Sequence, residues 1–202
     1  MTHGLDAARL PPVVPGLRVG LYGGSFNPAH AGHLHVSRMA LRRLRLDRVW
    51  WLVTPGNPLK DRRELAPLSE RMSTARDVAH CPRIAVTGFE AAIGARYTIE
   101  TLRWLCRHCP TVQFVWIMGA DSLASFHRWE RFQEIASLMP IAVIDRPGYT
   151  LSGPNAPGAR ALARWRIDET DAPLLAGLRA PAWVFLHGPR SSLSSTALRN
   201  RV

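Results

Sequence analysis

Lysine is nearly absent from this chain. Of its 26 basic residues only Lys60 is a lysine, the rest being arginines. A compact, flexible ammonium is chemically distinct from a guanidinium fork, so the single lysine stands out. Acidic residues are also few, 15 against those 26, and the formal net charge of +11 attracts polyphosphates, acidic metabolites or nucleic acid without choosing among them. The three cysteines, Cys81, Cys106 and Cys109, are an odd set without the spacing of a disulfide framework, which excludes a small stapled secreted scaffold. No stretch approaches the roughly 20 apolar residues of a membrane span. Residues 1–16, with Pro11, Pro12, Pro15 and Gly16, lack the basic start and apolar stretch of a secretory signal. They read as a flexible lead-in, residues 17–202 as one domain, and the chain as cytoplasmic. No cluster of carboxylates would build a dedicated metal cage, and no internal repeat is visible. Cys106 and Cys109, at a helix end before Pro110 and without a second pair, read as structural rather than as zinc ligands.

What is present is alternation. Apolar, largely β-branched runs at residues 17–22, 48–53, 83–86, 112–118, 141–144 and 183–186 read as strands, and helical periodicity appears between them at residues 31–46, 68–79, 98–108 and 129–138. Continuous apolar strands separated by helices predict an α/β fold with a Rossmann-like, doubly wound parallel sheet covered on both faces. In such a sheet ligands bind beyond the carboxyl ends of the strands, where the strand order reverses. Residues 149–181 are the least regular internal segment, read as an excursion on the rim with a short helix at 159–165.

The residues suited to phosphate chemistry fall where that rule wants them. Gly23-Gly24-Ser25-Phe26-Asn27-Pro28-Ala29-His30-Ala31-Gly32-His33 follows the first strand and opens the first helix. The glycines let a phosphate or ribose approach the backbone, and the helix start offers free amides and the positive end of its dipole. His30 and His33 are three residues apart, so both rings can face one pocket and donate to anionic oxygens. Lys60 closes the loop after the second strand, and Gly119-Ala120-Asp121-Ser122 and Arg146 follow the fourth and fifth. Near the end of the chain, Ser194, Ser195 and Thr196 with Arg199 one turn on form a second anion cradle: capping hydroxyls, free amides and an arginine able to neutralise a departing pyrophosphate.

Taken together these segments resemble the nucleotidyltransferase superfamily with a His-x-Gly-His signature, and most closely the bacterial nicotinate-nucleotide adenylyltransferases. The opening signature matches residues 23–33, and the closing Ile-Ser-Ser-Thr-x-Ile/Leu-Arg matches 193–199 with Leu193 in place of Ile. Thr54 to Lys60, Tyr97-Thr98-Ile99-Glu100-Thr101-Leu102 and Gly119-Ala120-Asp121-Ser122 with Trp129 match the middle segments. The resemblance implies adenylyl transfer from ATP to nicotinate mononucleotide, giving nicotinate adenine dinucleotide and pyrophosphate, with Mg2+ carried on the ATP phosphates. It implies catalytic roles for His30, His33, Lys60 and Arg199. Gly23, Gly24, Ser25, Phe26, Gly32, Gly119, Asp121, Ser194, Ser195 and Thr196 would bind ATP, and Asn27, Tyr97, Thr98, Trp129 and Arg146 the mononucleotide. Asp121 also reads as the N-cap of a helix starting at Ser122. The chain departs from the family pattern at Leu59, commonly His, and at Asn27, more often Asp.

Two other readings stand beside this one. Phosphopantetheine adenylyltransferases share the ends of the motif set but are shorter and lack the middle segments. A non-catalytic nucleotide-binding protein would use the arginine-rich surface without the histidine chemistry. The expected partners are ATP and nicotinate mononucleotide, with no nucleic acid and no membrane, and homo-oligomerisation is left open.

Overall fold

The computed structural model describes residues 9–56, 65–146 and 155–188. Six strands, β1 (Arg18–Gly24), β2 (Arg48–Val53), β3 (Ile84–Thr87), β4 (Gln113–Gly119), β5 (Ile141–Ile144) and β6 (Trp183–Leu186), form one all-parallel sheet in the order β3-β2-β1-β4-β5-β6. The expected α/β doubly wound sheet is thus present. Chain order reverses between β1 and β4, whose carboxyl ends open the crevice that such a switch point creates.

Period-two alternation sends successive side chains to opposite faces, and both faces are packed. Val19, Leu21, Trp50, Leu52, Phe114, Trp116, Ile141, Val143, Trp183 and Phe185 fill one face. Against them lie α4 (Thr98–His108) through Ile99, Leu102 and Leu105, α5 (Ala120–Ser125) through Leu123, α6 (Phe132–Leu138) through Ile135, and α7 (Pro157–Ala161) through Ala159. Val49, Trp51, Val53, Val115, Ile117, Ala142, Ile144, Val184 and Leu186 fill the other. It is covered by α1 (Ala31–Arg43) through Val36, Met39, Ala40 and Leu41, and by α2 (Leu68–Val78) through Met72 and Ala75. A one-turn helix, α3 (Phe89–Ala92), follows β3.

Several element boundaries differ from the sequence reading. The first helix ends at Arg43 rather than residue 46, because Leu44 caps it and Arg45 takes a left-handed φ of 50° before β2. The helix expected from residue 129 starts at Phe132: a 3-10 turn, Phe126–Arg128, comes first, and Trp129 is extended with ψ 144°. Asp121 lies inside α5, whose N-cap is Gly119, so it is not the N-cap of a helix beginning at Ser122. The part of the irregular segment that is described, residues 155–181, is not a rim excursion. α7 packs on one face of the sheet, while a 3-10 stretch, Glu169–Gly177, inserts Ala172, Leu175 and Ala176 into the other core. Pro173 and a weak apolar periodicity hid that burial, since a 3-10 helix repeats every three residues. Residues 9–16 of the lead-in run back over the sheet: Thr87 Oγ1 donates to Arg9 O at 2.9 Å, and Gly16 N to Thr111 O at 2.8 Å.

Gly20 sits at the centre of β1, where a Cβ would lie 2.5 Å from Ile117 Cδ1 and 2.7 Å from Leu46 Cδ1. Gly20→Val should therefore overpack this core and lower the unfolding free energy by about 1–3 kcal/mol. A urea midpoint equal to that of the unchanged chain would contradict the packing described.

Candidate active site

The site begins where β1 gives way to α1. His30 is the N-cap of α1, and its Nδ1 accepts from Gly32 N at 3.1 Å, while His33 Nδ1 accepts from His30 N at 3.2 Å. This is the reciprocal logic of a capping box, with imidazoles in place of hydroxyl and carboxylate. A ring nitrogen that accepts must be unprotonated, so each neutral ring carries its proton on Nε2. The first turn of α1 holds no acidic residue, leaving the positive end of the dipole unopposed.

Both rings are buried, His30 at 5% and His33 at 8% exposure, with centroids 3.9 Å apart. Burial, helped by the nearby Arg146 charge, pulls His30 down to about 4, and burial with its neighbours His30 and Arg146 holds His33 well below the ordinary histidine range. At neutral pH the pair is therefore two uncharged N–H donors. Phe26, at a φ of 47°, stacks on Trp51 at 5.0 Å and meets the His33 ring at 4.7 Å. Ser37 ties this support to the helix, accepting from Trp51 Nε1 at 2.6 Å and donating to His33 O at 2.9 Å.

Arg71, buried on α2, clamps the surrounding loops. Its Nη1 donates to Ser25 O at 2.7 Å and Thr54 O at 2.9 Å, and its Nε to Ala66 O at 2.7 Å. Asn27, expected to touch the mononucleotide, is buried, and its Oδ1 accepts from Ala66 N at 3.3 Å. Arg146 stands beside the histidines: Nη2 donates to Tyr22 OH at 3.2 Å, and Nε lies 3.7 Å from Asp121 Oδ1. A Cβ at Gly119 would meet Asp121 Oδ1, which would have to move aside.

A cleft of about 410 Å3 opens next to this group. Gly23, Gly24 and Ser25 form the shared wall, and Tyr97, Thr98 and Trp129 line its far part. Tyr97, Thr98 and Trp129 thus share one cavity, whereas Arg146 and Asn27 lie outside its lining. Trp129 stands edge-on to Phe126 at 5.4 Å and to Trp116 at 6.2 Å. Glu100 Oε2 takes the Arg96 and Tyr97 amides at 2.7 and 3.1 Å, so the anion-binding capacity of this helix start narrows to Thr98 and the amides after it. Lys60, Ser194, Ser195, Thr196 and Arg199 lie outside the described residues. Among the described residues no group of three or more His, Cys, Asp or Glu is placed to hold a metal. Cys106 and Cys109 are free thiols, and burial holds both above the usual cysteine pKa, the direction expected of unreactive thiols.

Four contributors escaped the sequence reading. Arg71 looked like any other arginine in an arginine-rich chain. Trp116 lines the cleft with an indole N–H that has no partner among the described residues. Arg128 lines the cleft from the unpredicted 3-10 turn. Glu90 also lines the cleft, buried at 7% exposure, and no motif marked it.

Comparison with known proteins agrees with this geometry. The cytidylyltransferase-like family matches residues 21–201. A Methylorubrum extorquens protein named "Probable nicotinate-nucleotide adenylyltransferase" is 73% identical over 185 residues, 92% of this chain and all of the relative. A Mesorhizobium japonicum protein of the same name is 60% identical, covering 94% of this chain and 97% of the relative. Among solved structures, Plasmodium falciparum nicotinic acid mononucleotide adenylyltransferase complexed with NaAD superposes with a TM-score of 0.67 at 16% identity, over 91% of this chain and 83% of that one; it shares the fold.

The capping geometry predicts that nitrogen NMR will find both imidazoles neutral, with the proton on Nε2, from about pH 6 to 8. A Nδ1–H form or a titration near pH 6.5 at either ring would contradict it. Arg71→Met should lower stability by about 1–3 kcal/mol through three carbonyls left without their donor. Equal thermal midpoints for the two proteins would remove the clamp from this account.

Proposed function

The chain belongs to the cytidylyltransferase-like family, and from that premise we propose that it transfers the adenylyl group of ATP to nicotinate mononucleotide, yielding nicotinate adenine dinucleotide and pyrophosphate in NAD biosynthesis. The observation that carries the reading is the pair of neutral Nε2–H donors held at the dipole end of α1, next to a cleft of a size and lining suited to a pyridine ring. Relatives named for this reaction, aligned over nearly the whole chain, support it.

A phosphate oxygen of the mononucleotide attacks the α-phosphorus of ATP in line. The bond from that phosphorus to the bridging oxygen breaks, and pyrophosphate leaves with the electron pair. The nucleophile is already an anion, so no protein group needs to become covalently attached or remove a proton. Catalysis then rests on positioning and on stabilising charge around the five-coordinate phosphorus. His30 and His33 do this as donors rather than cations. Their rings are fixed before substrate arrives by bonds through Nδ1, so the Nε2–H groups need no reorganisation as charge builds. The amides after the N-cap and the unopposed helix dipole add to the same field.

The donor set fits magnesium that travels with the nucleotide. Phosphate oxygens and waters satisfy that hard cation, and it would supply charge neutralisation on the triphosphate. Lys60, Arg199 and the Ser194-Ser195-Thr196 cradle belong to the triphosphate end of this reading, as do Gly119 and Asp121. Gly23, Gly24 and Ser25 form the wall shared by both substrates. In the cleft, Trp129 offers an aromatic face to the pyridinium, and Thr98 with its helix amides faces the ring carboxylate.

Pyrophosphate release with ATP and magnesium should be fast with nicotinate mononucleotide, weak with nicotinamide mononucleotide and absent with phosphopantetheine. Phosphopantetheine turnover would keep the fold and overturn the substrate. His30→Ala and His33→Ala should each lower kcat by about 10²–10³ with little change in ATP binding, the pattern of groups that act on the transition state. Unaltered kcat in both would remove the histidines from the chemistry.

A further inference from the structure

Glu90 is a carboxyl group inside the substrate cleft that the reaction as described does not use. It lies on α3, and its Oε1 accepts from Thr101 Oγ1 of α4 at 2.8 Å. The Thr54 hydroxyl just beyond β2 also pulls on the carboxyl electrostatically. It forms no ion pair among the described residues. Glu90, Thr54 and Thr101 line the same cavity as Tyr97, Thr98 and Trp129. An anionic ring entering that cavity would meet a buried carboxylate already present, and two like charges in a poorly solvated space repel strongly.

We propose that Glu90 is a specificity-determining residue which accommodates the mononucleotide's acidic ring in its protonated form, so that binding a nicotinate substrate is linked to proton uptake. This rests on the adenylyl-transfer reading given above. Burial already pushes the Glu90 carboxyl up to about 7, against the pull of the two threonine hydroxyls, so the neutral form is accessible where the enzyme works. The hydrogen-bond pattern has room for the extra proton. The Thr54 hydroxyl already donates to Gly56 O at 3.3 Å, so its proton does not compete with one carried by Glu90, and Thr101 meets only Oε1 of the carboxyl. The other charged or titratable groups lining the cavity are Arg96 and Tyr97, just before α4, and Arg128 and Glu130. The two arginines supply positive charge, and the protonated Glu90 keeps the buried wall free of negative charge.

The sign follows from linkage. A complex that prefers protonated Glu90 is tightest below about pH 7 and weakens as pH rises and the carboxyl ionises. The substrate phosphate also titrates, near 6, but it is common to nicotinate and nicotinamide mononucleotides, so the ratio of their affinities isolates the ring. Between about pH 6 and 8.5 the preference for the nicotinate form should fall about tenfold in the wild-type protein, one unit of pKa displacement being a factor of ten. In Glu90→Gln, which keeps the shape but cannot ionise, the ratio should be flat across this range.

The test measures KM and kcat for both mononucleotides across this range in wild type and E90Q. Calorimetry of both mononucleotides binding to the wild type, in buffers of different ionisation enthalpy, gives the proton count without any variant. Net uptake of about half a proton near pH 7.5 beyond that seen with nicotinamide mononucleotide, together with a ratio that falls with pH only in the wild type, upholds the assignment. No such excess, or the same slope in E90Q, overturns it while leaving the reaction standing. Failure of nicotinate mononucleotide to bind or turn over at any pH overturns the reaction itself, a result readily told apart from turnover without the slope.

Discussion

Everything at the site depends on how the first turn of α1 is capped. In most helices the orphan amides at this end are met by a hydroxyl or a carboxylate. Here two imidazoles meet them, and the bond that caps the helix also decides the tautomer of the ring that makes it. Because each Nδ1 accepts, each Nε2 must donate. Burial and the Arg146 charge then keep the rings neutral. One local constraint thereby fixes helix start, ring orientation and proton position together, and it does so without any substrate.

The support for that turn is distributed through the fold. Phe26 on Trp51, and Trp51 on Ser37, hold His33 from below, while Arg71 joins the loop after β1 to the loop after β2. The sheet sets the frame in which these pieces meet. With β1 flanked by β2 and β4, α1 and α2 cover one face and α4 to α7 the other, leaving a crevice between the ends of β1 and β4. The histidines occupy its helix side. The cleft of Tyr97, Thr98 and Trp129 occupies the other, joined to them through Gly23, Gly24 and Ser25. The proposed reaction needs two substrates to meet end to end, and this adjacency of histidines and cleft suits it.

Much of this was legible before any coordinates. Strands buried on both faces give continuous apolar runs, so all six could be placed along the chain to within a residue or two, and parallel pairing followed from the helices between them. The glycine and histidine loop was legible because several rare features coincide in eleven residues. Other features were not. The 3-10 stretch around Ala172 and Leu175 lacks the helical period that the reading relied on. Trp129 appeared helical because apolar spacing continues through it, yet the chain is extended there, and that extension puts its ring on the cleft. Asn27 is occupied in holding Ala66 N, a contact spanning 39 residues that no local pattern announces.

The sequence by itself determined the class of fold, the order of its elements and the loop that carries the histidines, since these rest on periodicity and on residue types close together along the chain. Only the tertiary structure decided which groups share a cavity and what charge they bear. Arg71 and Glu90 are ordinary residues in an ordinary sequence context. Their meaning comes from desolvation and from partners on other elements: three loop carbonyls for one, and the Thr101 hydroxyl at the cleft for the other. Burial and long-range pairing are properties of the folded chain, and they set the protonation states on which the chemistry depends.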